Sequence, residues 1–369
     1  MHPTIENILF VQDSSPCIRN IKMASALNER GLEIHLVHRD KTPNQAYGFG
    51  DDAYKTVVCL PKENHRDIDI IYSVIKRYRI DLVHYHNQPD RLSAELIESN
   101  LRIPVIYDQH DFLSFKHHLS RKEKRFEKIC NEQSDGAIYV TESYKNEVAR
   151  YYSLIENSIC FLNYYLKADS LANEDTLPKQ SRRDGIVHLV YVGRISDHKK
   201  DHRYIIESLK RLGNENCIVH VYPSKNKKYH KYNKLKHVVM HRSLPYRQLI
   251  REISQYDFGL TIFNEGVVRK LPHIRYGLGN KTFDYLCAGL PVLTQGCLDE
   301  VKKIVVQNEF GFIIEEGNGF QRLSKDRYEA LVKNIREKRE RFTMESQIDR
   351  LIQFYSTTWA RFNHDGAPT

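Results

Sequence analysis

Val190-Tyr191-Val192-Gly193-Arg194, with Lys199 five residues further on, and Asn280-Lys281-Thr282-Phe283-Asp284-Tyr285-Leu286-Cys287-Ala288-Gly289-Leu290-Pro291-Val292 are the stretches on which the fold turns. The first is an apolar run that stops at a glycine, as a buried strand of a parallel sheet does. It delivers one guanidinium and one ammonium to the carboxyl edge of that sheet, where open α/β sheets bind ligands. Two cations there suit a diphosphate, because Arg offers a planar fork and Lys a compact charge. The second stretch reads as a helix, a Gly-Leu-Pro turn and the next strand, Val292-Leu293-Thr294. It places Asp284 on a helix beside the same edge, where a carboxylate accepts hydrogen bonds from a ribose diol. Each stretch also has a plainer reading. Charges after a strand are often solvated, and Phe283, Leu286 and Cys287 fit an amphipathic helix that faces its acid to water.

Working outward, strands and helices alternate on both sides of these motifs, the pattern of parallel sheets covered on both faces. In the first half, strands are expected at Asn7–Val11, Leu32–Val37, Leu82–His86, Pro104–Tyr107, Gly136–Val140 and Ile159–Asn163. Helices are expected at about Ile18–Glu29, Ile70–Tyr78 and Lys122–Glu132, with Thr141-Glu142-Ser143 capping another. The alternation restarts at Val187–Val192, with strands at Cys217–Tyr222, Val238–Met240, Phe258–Phe263 and Phe310–Ile314. Helices there are Tyr204–Leu212, Tyr246–Ile253, Ser324–Phe342 and Met344–Tyr355, with Trp359 near the end of the last. Between the halves, 167–185 is polar without apolar periodicity and is the expected linker.

A chain of 369 residues is too long for one typical core and comfortable for two domains. No apolar run approaches the roughly 18 residues of a membrane span. The start, Met1-His2-Pro3-Thr4-Ile5-Glu6, lacks the basic and apolar regions of a signal peptide, so the cytoplasm is the expected location. The 7 cysteines form no Cys-x-x-Cys pair, and Cys59, Cys160, Cys217 and Cys287 stand in apolar stretches, so free core thiols and no structural zinc are expected. The net charge of +9 gathers in the second half, notably in Lys225–His237, where tyrosines interleave the lysines. Such a run can bind RNA. No helix-turn-helix, zinc-finger or aromatic ribonucleoprotein pattern accompanies it, so no nucleic-acid partner is expected. A second basic patch, Lys116–Lys128, suits anionic headgroups or a phosphorylated acceptor, which allows peripheral contact with an anionic membrane at its inner face.

Two motifs in this order, inside one βα domain preceded by another, resemble glycosyltransferase family 4 and its GT-B relatives. The resemblance covers nearly the whole chain. The fold it implies is α/β: two doubly wound Rossmann-like domains facing a central cleft. Residues 1–166 would bind the acceptor, 167–185 link, 186–343 bind the nucleotide sugar, and 344–369 form a helix crossing back to the first domain. Closing such a cleft excludes water and holds donor and acceptor together.

The resemblance carries over to particular residues. Arg194 and Lys199 match the diphosphate-neutralising pair of the family's Gly-Arg-x-x-x-x-Lys pattern, beginning at Gly193, and would replace a divalent metal, so no metal or other cofactor is expected. Asp284 stands at the position of the ribose-binding Glu, one methylene shorter. Lys281 lies in a stretch resembling Pro-x-Lys-x-x-Glu-Tyr-Leu and would touch phosphate or donor sugar. Eight positions before the ribose acid, where many members carry an acid that orients the donor sugar, this chain has Tyr276, and Glu265 is the expected substitute. In the first domain His110 resembles the family's strand-end His near the donor sugar. On the acceptor side stand His86, Asp108, Asp111 and the first strand-to-helix loop with Ser14, Ser15 and Arg19, which lacks the usual glycines.

The activity implied is transfer of a sugar from a nucleoside diphosphate to a glycan or lipid-linked acceptor, with retention and without metal, in polysaccharide or glycoconjugate synthesis. An epimerase of the same fold and a noncatalytic transferase-like binding protein fit the same residues. A nicotinamide dehydrogenase does not, because neither half opens with Gly-x-Gly-x-x-Gly.

Overall fold

The computed structural model describes residues 5–62, 66–99, 101–116, 118–172, 175–315, 320 and 322–365. It divides into two compact units, 1–162 with 344–369, and 163–343.

The first unit is built on seven strands: β1 Asn7–Gln12, β2 Glu33–His38, β3 Thr56–Cys59, β4 Leu82–His86, β5 Val105–Gln109, β6 Gly136–Tyr139 and β7 Ser158–Cys160. They run in the order β3-β2-β1-β4-β5-β6-β7, with every pairing parallel. Leu9, Val11, Val37, Val83, Tyr85 and Tyr107 are buried in one cluster between sheet and helices. Sequence order reverses between β1 and β4, which opens a crevice at the carboxyl ends of those two strands.

The second unit repeats the plan with β8 Val187–Gly193, β9 Cys217–Pro223, β10 Val238–Met240, β11 Phe258–Thr261, β12 Val292–Gln295 and β13 Gly311–Ile314. The order β10-β9-β8-β11-β12-β13 puts the reversal between β8 and β11. β8 is buried along its length except at Gly193, because helices cover both faces. Two strands and their neighbours carry a histidine chain. Asp184 Oδ2 accepts from His188 Nε2 at 3.0 Å, His188 Nδ1 meets His220 Nε2 at 2.8 Å, and His220 Nδ1 meets His241 Nε2 at 2.9 Å. One proton per contact is met when each ring donates from Nε2.

The two-sheet α/β class agrees with the sequence reading; several details differ. β3, the helix Arg91–Glu98 and the helix Asp299–Gln307 were not anticipated. β3 is an edge strand of four residues with alternating exposure, too short for a pattern to stand out. It also corrects the reading of Cys59, which is exposed on that edge rather than in the core. The stretch 167–185 is not a free linker, since its described residues pack onto the second unit. Leu177 N–H donates to Ser254 Oγ, and Lys179 Nζ donates to the carbonyls of Ser254 and Tyr256. The last helix continues to Asp365 and is held in the first unit by Ile348, Leu351, Phe354 and Tyr355, while Trp359 is only half-buried. Tyr229 and Tyr232 of the basic run are buried in the second unit's core, which leaves its lysines, asparagines and histidines outside. In the other basic patch Arg121, Lys122, Lys124 and Arg125 are exposed along a helix capped by Ser120, and His117 lies outside the described residues. Among the described residues no helix is long and apolar enough to cross a membrane.

Candidate functional site

In the second unit the helix Asn280–Cys287 lies against the β8/β11 crevice because one tyrosine fastens it. Tyr285 Oη accepts from Val192 N at 3.0 Å and donates to the Leu260 carbonyl at 2.9 Å. Its ring lies on Gly259, where a Cβ would come within 2.1 Å of it, so only glycine permits this approach. One turn earlier, Lys281 reaches over the end of β8. Its Nζ is 4.1 Å from the Tyr191 ring centroid and 4.5 Å from that of Phe263. Gly193 sits beneath with φ +120°, and a Cβ built on it would stand 3.9 Å from Lys281 Nζ. Burial, then Arg203, disfavour the ammonium; Asp284 favours it, and the balance lowers the Lys281 pKa to about 7. Asp284 is 9% exposed, and its Oδ1 accepts from Tyr246 Oη at 3.1 Å.

Arg194 and Lys199 are exposed on the loop that follows β8, and among the described residues neither side chain has a hydrogen-bonding or ionic partner. The loop itself is fixed. Asn264 Nδ2 donates to the carbonyls of Lys199 and Asp201, Asn264 N to that of His202, and Ser196 N to that of Arg203. Gly193, Lys281 and Asp284 are therefore brought together, with two presented cations on an anchored loop beside them. Glu265 and Tyr276 are placed around Arg275 instead. Glu265 meets Arg211 at 3.5 Å and shares with Arg275 a surface pocket of ≈ 420 Å³, which Gly193, Lys281 and Asp284 do not line. The Tyr276 ring lies 5.1 Å from the Arg275 guanidinium, itself paired to Asp299 at 2.8 Å. Arg203 escaped the sequence reading. The signal was available: the loop runs from Gly193 to the helix Ile206–Leu212, and any cation within it lies at the carboxyl edge.

In the first unit the β1/β4 crevice holds a different chemistry. Arg19 and His86, expected on the acceptor side, are buried at 2% and 0% exposure and cannot meet an acceptor without rearrangement. Arg19 is on the first turn of the helix Ile18–Asn28, and its guanidinium grips Asp108 through Nε at 2.8 Å and Nη2 at 3.3 Å. Asp108 also faces His84 Nε2 at 3.5 Å and His86 Nδ1 at 3.3 Å. Burial opposes its ionisation, yet Arg19 and the two imidazoles outweigh burial and hold it well below the ordinary carboxylate range. His84 and His86 stack at 4.2 Å, and Tyr355 of the last helix bonds His84 Nδ1 at 2.6 Å. Burial, then His84, push His86 down to about 3, so its ring is neutral.

Nearer the surface, His110 and Asp111 are half-buried and are oriented by Asn87, whose Oδ1 accepts from both backbone N–H groups at 3.2 Å. Asp111 is paired to Lys116 at 2.5 Å. Ser15 Oγ accepts from Lys41 N, while the Ser14 carbonyl accepts from Arg39 N, which ties this loop to the segment after β2. Cys17 is the N-cap residue of the helix Ile18–Asn28, and its Sγ lies within 4.8 Å of a ring nitrogen of His110. Burial opposes charge on both, but their mutual attraction prevails: the thiol is lowered, and the imidazole is raised to about 9. Asn87 and Cys17 were not singled out from the sequence, where neither has a motif.

Two parallel sheets, each with a carboxyl-edge site at its reversal, define the GT-B fold of glycosyltransferases. Sucrose-phosphate synthase from Thermosynechococcus elongatus aligns with 96% of this chain and 100% of its own at TM-score 0.70 and 13% identity. A glycosyltransferase from Rickettsia africae aligns over 96% and 98% at TM-score 0.68 and 13% identity. Anabaena HepE in complex with UDP-glucose aligns over 97% and 98% at TM-score 0.62 and 14% identity. Residues 20–160, within the first unit, match the model of Glycosyltransferase Family 4. The sequence's resemblance and its transferase class are borne out by that match and by the fold. No curated protein matches the chain significantly.

Proposed function

We propose that the protein is a cytoplasmic glycosyltransferase that moves a sugar from a nucleoside diphosphate to a glycan or lipid-linked acceptor, with retention of configuration. No divalent metal serves the diphosphate in this reading, and the product is a surface polysaccharide or glycoconjugate. The observation that carries it is the Lys281 ammonium over Gly193, walled by Tyr191 and Phe263 and flanked by Asp284, beside Arg194 and Lys199 on their anchored loop. Preorganised cations in a partly dry site stabilise a departing diphosphate, whose charge grows as its bond to the sugar breaks.

The acceptor oxygen bonds to the anomeric carbon on the face that the diphosphate leaves. The bonding pair passes to the departing phosphate oxygen, which takes the acceptor's proton. Arg194, Lys199 and Lys281 neutralise the diphosphate, and Asp284, steadied by Tyr246, receives the ribose hydroxyls. His110 bonds a sugar hydroxyl, and Ser14, Ser15 and Asp111 are the acceptor-side contacts. The exposed cations of the helix Arg121–Gln133 supply peripheral attraction to an anionic membrane. A fold neighbour in complex with UDP-glucose makes uridine the first base to test.

The test is release of nucleoside diphosphate from a panel of nucleotide sugars, with and without a lipid-linked or glycan acceptor, and with EDTA. Release that requires acceptor and tolerates EDTA is expected. An altered sugar formed from donor alone would make the protein an epimerase, and nucleotide binding without any product would make it a binding protein.

A further inference from the structure

At the carboxyl edge of the first sheet, three elements bring Cys17, His86 and His110 together. Cys17 follows β1, His86 ends β4, and His110 lies one residue past β5. One donor atom from each lies within 4.8 Å of the other two. We propose that these three side chains bind a thiophilic divalent cation of the zinc class.

The strongest argument is His86. It is 0% exposed, its Nε2 has no hydrogen-bond partner, and its Nδ1 meets only the Asp108 carboxylate; His110 Nδ1 is likewise buried and unpartnered. Buried polar atoms are ordinarily satisfied, and an unsatisfied one is costly, so such nitrogens mark a missing partner. The unmet atom is a lone pair, and among the described residues neither a hydrogen-bond donor nor a cation meets it. His86 Nδ1 faces Asp108 Oδ2 at 3.3 Å, which fixes its proton on Nδ1 and turns the Nε2 lone pair away from the carboxylate. A carboxylate behind a histidine in this way is how proteins orient metal-binding imidazoles. A second trio, His84, His86 and Asp108, also lies within ligand range. It is the weaker candidate, since Arg19 already neutralises Asp108 and Tyr355 bonds His84 Nδ1, although His84 Nε2 is also without a hydrogen-bond partner.

The donor set decides the ion. One thiolate and two imidazoles suit zinc-like cations, whereas magnesium and calcium take oxygen ligands. Cys17 sits at the amino end of a helix of 11 residues, beside an imidazole, where a thiolate is favoured. Zinc bonds of about 2.3 Å to sulfur and 2.0–2.1 Å to nitrogen put tetrahedral ligands roughly 3.4–3.6 Å apart. The trio must close by about 1 Å to reach that spacing, which the half-buried Cys17 and His110 can do by side-chain rotation. Three protein ligands leave a fourth position for water or a hydroxyl group.

The balance is simple. Three lone pairs form coordinate bonds, and waters leave the ion. The single proton shared by Cys17 and His110 passes to solvent, and no electrons are exchanged. Occupancy also takes His110 away from any sugar hydroxyl. The site belongs to the first unit and stands whether or not the chain transfers sugars.

The test titrates the full-length, EDTA-stripped protein with cobalt(II) as a visible stand-in, then with zinc. One equivalent should bind with tetrahedral d–d bands and a thiolate-to-cobalt charge-transfer band, and one equivalent of zinc should erase both. Cys17→Ser should lose the charge-transfer band, and His110→Ala should weaken zinc binding at least about tenfold. In the unmodified protein, saturating zinc should protect Cys17 from iodoacetamide when each cysteine is mapped by mass, a readout that needs no variant to fold. A wild-type spectrum without the charge-transfer band, a band that survives Cys17→Ser, or Cys17 alkylation indifferent to zinc would each overturn the proposal.

Discussion

Lys281 Nζ stands 4.1 Å from the centre of the Tyr191 ring, above the glycine that ends the central strand of the second sheet. Burial, then Arg203, hold this lysine near its neutral form against the pull of Asp284, with a pKa of about 7. An arriving diphosphate restores the charge, so binding takes up a proton.

The pH dependence follows from that sign. At pH 6.5 most of the Lys281 side chains are already charged, and nucleotide binds at full strength; above pH 7 the neutral amine must take up a proton as each nucleotide binds. Nucleoside diphosphate affinity should fall up to tenfold per unit between pH 7 and 9. Lys281→Met should abolish this slope while lowering affinity at pH 6.5. Isothermal titration across that range checks both.

Arg194 and Lys199 differ from Lys281 in being exposed and without protein partners among the described residues. Removing either should leave the melting temperature of the unliganded protein unchanged within a degree or two. Turnover should fall on the order of 10²-fold, as when one preorganised charge donor is lost. Wild-type turnover in both Ala variants would remove them from the mechanism.

Asp284 is assigned to the ribose, and the assignment separates it from the phosphate ligands. Asp284→Ala should weaken binding of a ribonucleoside diphosphate about tenfold, near the 1.4 kcal/mol of a charged hydrogen bond. It should have little effect on the 2′,3′-dideoxy analogue. Equal losses for the two ligands would mean that the acid acts elsewhere. Tyr246→Phe, which removes the hydrogen bond to Asp284 Oδ1, should reproduce a fraction of the same selectivity.

How much of this was legible in the sequence depends on how local each signal was. The central strands are apolar runs ending in glycine or polar residues, so β8 and β11 could be read directly. The edge strand β3 could not, because its four residues alternate in exposure. The Asp284 helix was legible from the Gly-Leu-Pro turn that follows it. The direction of Arg19 was not, because its partner Asp108 lies 89 residues away and turns the guanidinium inward from the loop where a surface role was expected. Cys17 and His110 are equally remote in sequence, and neither makes a spaced motif. Glu265 was an apt acid in a nearby loop, yet its side chain meets Arg211.

The histidine chain makes an acid-sensitivity prediction. Burial, then His241 and His188, push His220 down to about 3, while an unfolded histidine titrates near 6.5. The unfolded chain therefore binds the proton first, and this contribution to stability is full above about pH 6.5 and lost as pH falls from there toward 3. The urea midpoint should fall over that window. In His220→Leu the protein should be less stable at pH 7, with a flatter dependence below it. An unchanged slope would show that His220 is not the titrating group.

The central claim is that the second unit holds a nucleoside diphosphate by fixed cations rather than by a metal. The most direct measurement is thermal stabilisation by UDP, GDP, ADP, TDP and CMP and their sugar conjugates, each with and without EDTA, on wild type and Arg194→Ala. Saturating ligand at 100 times its Kd stabilises by about 2.7 kcal/mol, a shift well within detection. The account predicts selective stabilisation by one nucleoside diphosphate, indifferent to EDTA and lost in the variant. Stabilisation that vanishes with EDTA, or that persists undiminished in Arg194→Ala, would contradict it.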